Sequence, residues 1–238
     1  MTELRIGAHR GAMCHAPENT LAAFEKAIEF GTYRVEFDVR RSRDGHLVVI
    51  HDDTVDRTTD GHGKVSELDL LQLQALRSEG EQIPTLAEAI DCLRGRARLL
   101  VEFKDEDIAE QAVRQIEAAG VVDQCTLSTF HEPSLRQAHK LNRDLQVAWF
   151  HVEAGPFDAA QVIEQYGVGL VIVWPAAARV DQIADAKAHG LDVRCGFKDD
   201  LSYEETYTRL CEFAEIGVAE FSCGRPDWIG QMIADYQK

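Results

Sequence analysis

Hydrophobic and polar positions alternate strictly along Val35-Glu36-Phe37-Asp38-Val39, so a strand here turns three apolar side chains one way and two carboxylates the other. The same polar step of two returns at Glu102-Phe103-Lys104. Gly169-Leu170-Val171-Ile172-Val173 is apolar almost throughout, as in strands covered on both faces of a parallel sheet. Between such runs the period lengthens to that of a helix. Leu21, Phe24, Ala27 and Ile28 share one face, with Asn19 or Thr20 as N-cap and Gly31 closing the segment.

Taken in order, the pattern predicts strands at Leu4 to His9, Tyr33 to Val39, Leu47 to Ile50, Arg98 to Phe103, Cys125 to Ser128, Gln146 to Phe150, Leu170 to Trp174, Asp192 to Cys195 and Glu220 to Ser222. Helices are expected at Thr85 to Leu93, Ile108 to Ala119, Pro133 to Leu141, Asp158 to Tyr166, Val180 to His189, Tyr203 to Ile216 and Asp227 to Tyr236. The stretch from about Asp53 to Gln82 breaks the rhythm. It carries the turn Asp60-Gly61-His62-Gly63 and a leucine-rich helix over Leu68 to Leu76, and reads as an insertion. About eight strand-helix units in 238 residues fit one α/β domain, a (β/α)8 TIM barrel with a small insertion after the second strand region. No Gly-x-Gly-x-x-Gly or Walker loop favours an open nucleotide-binding sheet.

Composition narrows the partners. A formal charge of −16 argues against nucleic acid, whose phosphates need a basic face. An apolar share of 45% suits a full core. The six cysteines are scattered without zinc or redox spacing, and several sit in apolar runs as small buried hydrophobes. No basic leader and no membrane-length apolar segment occurs, so the expected location is cytoplasmic, without a membrane span. A homo-oligomer is left open.

In a barrel the chemistry gathers at the C-terminal ends of the strands. Those ends carry His9 and Arg10, then Glu36 and Asp38, then His51, then Glu102 and Lys104. Neighbouring carboxylates on one face repel each other unless a cation compensates, and oxygen donors suit hard divalent ions. Histidine can take or give a proton near neutral pH. Any one of these residues alone has an ordinary structural reading; it is their joint occurrence on one rim that points to a site.

His9-Arg10-Gly11, Ala16-Pro17-Glu18-Asn19-Thr20, Glu36-Phe37-Asp38-Val39, Asp44-Gly45, His51-Asp52, Arg57-Thr58-Thr59, Ile83-Pro84-Thr85-Leu86 and Glu102-Phe103-Lys104 together resemble the signature of the glycerophosphodiester phosphodiesterase family. The resemblance covers the first 105 residues by motif and the rest by fold. It implies a metal-dependent hydrolase that splits glycerophosphodiesters into sn-glycerol 3-phosphate and an alcohol. It implies that Glu36, Asp38 and Glu102 bind Mg2+ or Ca2+, and that His9 and His51 are the general acid and base, in either order. Arg10 and Lys104 would hold the phosphate, and the insertion would cap the glycerol end.

The C-terminal half departs from the family pattern, with Arg194-Cys195-Gly196-Phe197-Lys198-Asp199 after the seventh strand and Cys223-Gly224-Arg225-Pro226 after the eighth. Trp174, Phe197 and Lys198 are therefore candidates for a substrate-specificity wall. A small phosphodiester is the expected partner, with a sugar phosphodiester or a lysophospholipid as alternative substrates. A non-catalytic metal- or phosphodiester-binding protein is the reading from another class.

Overall fold

The computed structural model describes residues 3–153 and 155–238. Nine strands occur among them: β1 (Arg5–Ala8), β2 (Arg34–Arg41), β3 (Leu47–Val49), β4 (Arg98–Phe103), β5 (Cys125–Ser128), β6 (Gln146–His151), β7 (Val168–Val173), β8 (Asp192–Gly196) and β9 (Glu220–Cys223). The helices are α1 (Leu21–Glu29), α2 (Leu70–Ala75), α3 (Leu86–Leu93), α4 (Ala109–Ala118), α5 (Glu132–Leu141), α6 (Ala159–Tyr166), α7 (Val180–Ala188), α8 (Tyr203–Glu215) and α9 (Pro226–Tyr236). Eight parallel strands run β1-β2-β4-β5-β6-β7-β8-β9, and β9 pairs back onto β1. The sheet is a closed (β/α)8 barrel. β3 is the exception, an antiparallel neighbour of β2 with Val39 opposite Val49.

Period-two phase decides what each strand contributes. Leu99, Val101 and Phe103 of β4, Val171 and Val173 of β7, and Val193 and Cys195 of β8 point outward to the helices. The other phase fills the barrel, where Leu100, Ala148, Leu170 and Ile172 form a small central plug. Helix starts follow local chemistry. Thr20 caps α1, Thr85 with Glu88 and Ser202 with Glu205 form capping boxes on α3 and α8, and Gly167 ends α6 in the left-handed conformation.

The segment between β3 and α3 keeps a separate core of Val48, Ile50, Val55, Val65, Leu73 and Ile83. Its helix is shorter than the pattern suggests, Leu70–Ala75, preceded by a single 3-10 turn at Val65–Glu67. None of the described helices is long and apolar enough to cross a membrane.

Candidate active site

Glu36 and Asp38 stand on the inward phase of β2, and Glu102 on that of β4, where Asp38 and Glu102 are register partners. Oxygens of all three carboxylates lie within 4.8 Å of one another, and all three residues are buried. Burial, and then the charge of Asp38, push the Glu36 carboxyl above its ordinary range. Glu102 is raised to about 7, by burial first and by the two neighbouring acids, although Lys104 works against the shift. Asp38 behaves oppositely: burial opposes ionisation, but Lys104, Arg10 and the Asn19 amide hold it below the usual range.

The surrounding cations account for that split. Lys104 Nζ is 3.0 Å from Asp38 Oδ1 and also touches Glu102. Arg10 Nε lies 3.3 Å from Asp38 Oδ2, while its backbone N–H donates to Glu36 at 2.8 Å. Arg10 can do both because the chain turns sharply there, with φ 52° at Arg10 and 76° at Gly11. At Gly11 a Cβ would sit 2.7 Å from Ala23 Cβ, so glycine lets α1 come close under the turn. Asn19, also in the left-handed region at φ 59°, donates to Asp38 Oδ2 at 2.8 Å and accepts the Asp38 N–H at 3.2 Å.

The two histidines flank the acids and are held differently. His9 Nδ1 is 3.2 Å from Asp199, which lies in the loop after β8 and also accepts the Gly224 N–H. Burial works to lower His9, but the Asp199 hydrogen bond and the charge of Glu36 outweigh it and raise its pKa. His51 Nδ1 is 2.6 Å from Asp52, whose other oxygen accepts from Arg57 Nε at 2.6 Å. Arg57 in turn grips Glu18 through two 2.8 Å bonds, and Glu18 reaches Arg10 at 2.9 Å. With Asp52 already neutralised by Arg57, desolvation prevails and the His51 pKa falls. Arg40 fixes the His51 backbone by donating to its carbonyl at 2.8 Å, and Asp105 braces Arg40 at 2.8 Å.

The rim therefore brings together His9, Arg10, Glu36, Asp38, His51, Glu102 and Lys104. Trp174 also reaches it, half-exposed just past β7. Phe197 does not. It is 4% exposed and stacked between Phe213 of α8 and Phe221 of β9, in the layer between barrel and helices. The expectation of a wall residue fails because Arg194 and Gly196 take the inward phase of β8, which turns Phe197 outward. Lys198 is exposed. Asp199, Asn19 and the Asp52–Arg57–Glu18 chain were not singled out from sequence. Asn19 and the chain lay within the quoted family motifs, and Asp199 ends the departing run Arg194 to Asp199, where nothing local points to a partner for His9.

A model of the Glycerophosphoryl diester phosphodiesterase family matches residues 9–210. A glycerophosphodiester phosphodiesterase of Caldanaerobacter subterraneus subsp. tengcongensis is 34% identical over 188 residues, 73% of this chain and 71% of that protein. The crystal structure of a glycerophosphodiester phosphodiesterase from Agrobacterium tumefaciens superposes with a TM-score of 0.83 at 28% identity, covering 97% of this chain and 100% of that one. An Oleispira antarctica phosphodiesterase, solved in complex with the product sn-glycerol-3-phosphate, gives a TM-score of 0.83 at 29% identity over 97% of this chain and 96% of that one.

Proposed function

Since the chain belongs to the glycerophosphoryl diester phosphodiesterase family, and is thereby an enzyme of the phosphoric diester hydrolase class, we propose that it releases sn-glycerol 3-phosphate from glycerophosphodiesters with the help of a divalent cation and two histidines. The observation that carries this reading is the buried trio Glu36, Asp38 and Glu102 between His9 and His51. Three carboxylates with only Arg10 and Lys104 beside them are a costly arrangement to bury unless a cation joins them. An all-oxygen donor set suits Mg2+ or Ca2+ better than softer metals. When bound, such an ion offsets the charge on the phosphoryl oxygens.

The side chains supply the rest. Arg10 and Lys104 hold the non-bridging oxygens, opposing the charge that grows as the ester bond breaks. His9, kept toward its protonated form by Asp199, gives a proton to the departing alkoxide. His51, kept neutral by desolvation, takes one from the hydroxyl that attacks phosphorus as the bond to the alcohol breaks. Where that is the glycerol 2-hydroxyl, water then opens the cyclic phosphate to give sn-glycerol 3-phosphate. The glycerol half is placed on the side of the rim beside the segment after β3, where His51, Asp52 and Arg57 stand. The Oleispira enzyme's complex with sn-glycerol-3-phosphate supports glycerol phosphate as the shared half of the substrate.

The test is product release from glycerophosphodiesters by chelator-stripped protein, with and without Mg2+, Ca2+ and Mn2+. Glycerol 3-phosphate should form only when an ion is present. His9→Ala and His51→Ala should each lower kcat by about 10^2- to 10^4-fold while melting cooperatively. Near-wild-type turnover in either variant refutes the assigned roles.

A further inference from the structure

The inward-facing phase of the barrel divides its mouth into three sectors. Strands β1, β2 and β4 carry the ionisable groups described above. Strands β8 and β9 end in small residues, Gly196, Ser222 and Gly224. The three strands between them carry aromatic rings. Phe130 lies two residues past the inward-facing Ser128 of β5, Phe150 is on β6, and Trp174 lies two residues past Ile172 of β7.

These rings are placed as a surface rather than as core. Phe150 packs on the central plug of the barrel, and Phe130 stacks on it with centroids 4.2 Å apart and planes within 6°. Phe130 is nevertheless 58% exposed and Trp174 46% exposed. The Trp174 indole lies beside Gly196, where a Cβ would meet its Cδ1 at 3.9 Å. Leaving such rings in water is unfavourable, and exposed aromatic area beside a polar site is a place that a ligand can cover.

We propose that Phe130, Phe150 and Trp174 form the subsite for the alcohol half of the diester, and that this alcohol is apolar, an alkyl or aryl alcohol rather than a polyol, a sugar or an onium head group. The proposal rests on the phosphodiesterase reading of the site and supplies the substrate class that reading leaves open. A diester has two arms. The glycerol arm takes the side of the rim beside His51 and the segment after β3, and the other arm is then directed across the phosphate position to the aromatic sector. Inside the barrel that sector sits above Leu100, Ala148, Leu170 and Ile172, which offer no side-chain donors or acceptors, and the Ser128 hydroxyl beside them is fully buried and out of a ligand's reach. A sugar or second glycerol would lose hydroxyl hydration there without replacement. An onium group would want several ring faces turned toward one point. The parallel stacking of Phe130 on Phe150 instead presents a flat wall.

The experiment compares kcat/KM of the Mg2+- or Ca2+-loaded enzyme on four diesters of sn-glycerol 3-phosphate, with glycerol, choline, 3,3-dimethylbutanol and hexanol as second alcohol. Dimethylbutanol is the neutral isostere of choline. The hexyl and dimethylbutyl esters should exceed the glycerol ester by about tenfold or more, and the dimethylbutyl ester should at least equal the choline ester. Phe130→Ser and Trp174→Ser should each reduce the hexyl-to-glycerol ratio by about tenfold. Leu141→Ser, an exposed leucine at the far end of α5, should leave that ratio as it is. Preference for the glycerol or choline ester, or an unchanged ratio in both aromatic variants, overturns the subsite while leaving the phosphodiesterase assignment standing. A folded protein that cleaves none of the four overturns that assignment and the subsite with it.

Discussion

At the mouth of the barrel Glu36, Asp38 and Glu102 face Arg10 and Lys104, whereas at its base Glu220 faces Arg34 and Arg194. Both groups are buried and both are ionic, yet their balance is reversed. At the mouth the acids outnumber the cations, and two of the three acids are driven toward their neutral forms. At the base the guanidinium groups are in excess. Arg194 Nη1 lies 2.5 Å from Glu220 Oε1 and its Nη2 donates to the Ala8 carbonyl at 3.0 Å, while Arg34 Nε is 3.6 Å from Glu220 Oε2. Gly7 makes the room, since a Cβ there would come within 2.9 Å of Arg194 Nη1. The base is packed shut, with no room for a ligand although Arg34 Nε and Nη1 and Glu220 Oε2 lack hydrogen-bond partners. The mouth has carboxylates that nothing in the chain fully offsets, which is the signature of a site finished by a ligand rather than by folding.

The sharpest way to separate the two ends is to remove one acid from each. Glu36→Gln keeps an acceptor for the Arg10 N–H but takes away a charge that burial already disfavours. Activity should fall by about 10^2- to 10^3-fold or more. The melting temperature of the metal-free protein should hold or rise, and the stabilisation produced by added Mg2+ or Ca2+ should disappear. Glu220→Leu should do the reverse. It leaves two buried guanidinium groups unpaired and should cost about 3–5 kcal/mol in urea unfolding, with kcat per folded molecule retained. Adding Arg194→Met should recover part of that loss. A Glu220 variant that is stable but inactive would erase the distinction.

These two ends were not equally legible in the sequence. The acids of the mouth announced themselves because Glu36 and Asp38, and then Glu102 and Lys104, repeat a polar step of two inside apolar strands. Arg34 and Glu220 begin their strands, where a charged residue ordinarily means solvent, so nothing in the pattern set them apart. Strand and helix positions were readable for the same reason as the acids, since period two and period 3.6 are local properties. Phe197 went astray by one residue of phase at the end of β8, which turned a presumed wall into core. Asp199 was beyond reach, because its meeting with His9 spans 190 positions and depends on how one loop closes.

The mouth should also respond to pH where its carboxyls are unpaired with metal. Glu102 has a folded pKa of about 7 against 4.5 in an unfolded chain, so between those values the folded state binds the extra proton. Stability then falls as pH rises. Metal-free protein should lose about 3 kcal/mol from this group between pH 4.5 and 7. Saturating Mg2+ or Ca2+ should flatten or reverse the slope, because the ion favours the ionised carboxylate. Urea midpoints in chelator and in metal across that range provide the check. Equal slopes in the two conditions would remove Glu102 from the ion's ligands.

The smallest effect distinguishes the two histidines within the mouth itself. Asp199 meets His9 with its charge offset by the Gly224 N–H and, without direct contact, by Arg10, so it still favours the imidazolium. Asp52 meets His51 at 2.6 Å, but Arg57 also binds Asp52, at 2.6 and 3.0 Å, and absorbs most of its field. Asp199→Asn should therefore lower the His9 pKa, and the limb of the kcat/KM profile on which the protonated acid is lost should move to lower pH by about one unit. The maximal rate should fall by about tenfold. Asp52→Asn should disturb the opposite limb by less, since Arg57 remains to be satisfied by Glu18. A simple structural role for Asp199 would lower the rate across the whole profile without shifting either limb. Movement of the His51 limb instead would exchange the roles of acid and base between the two histidines.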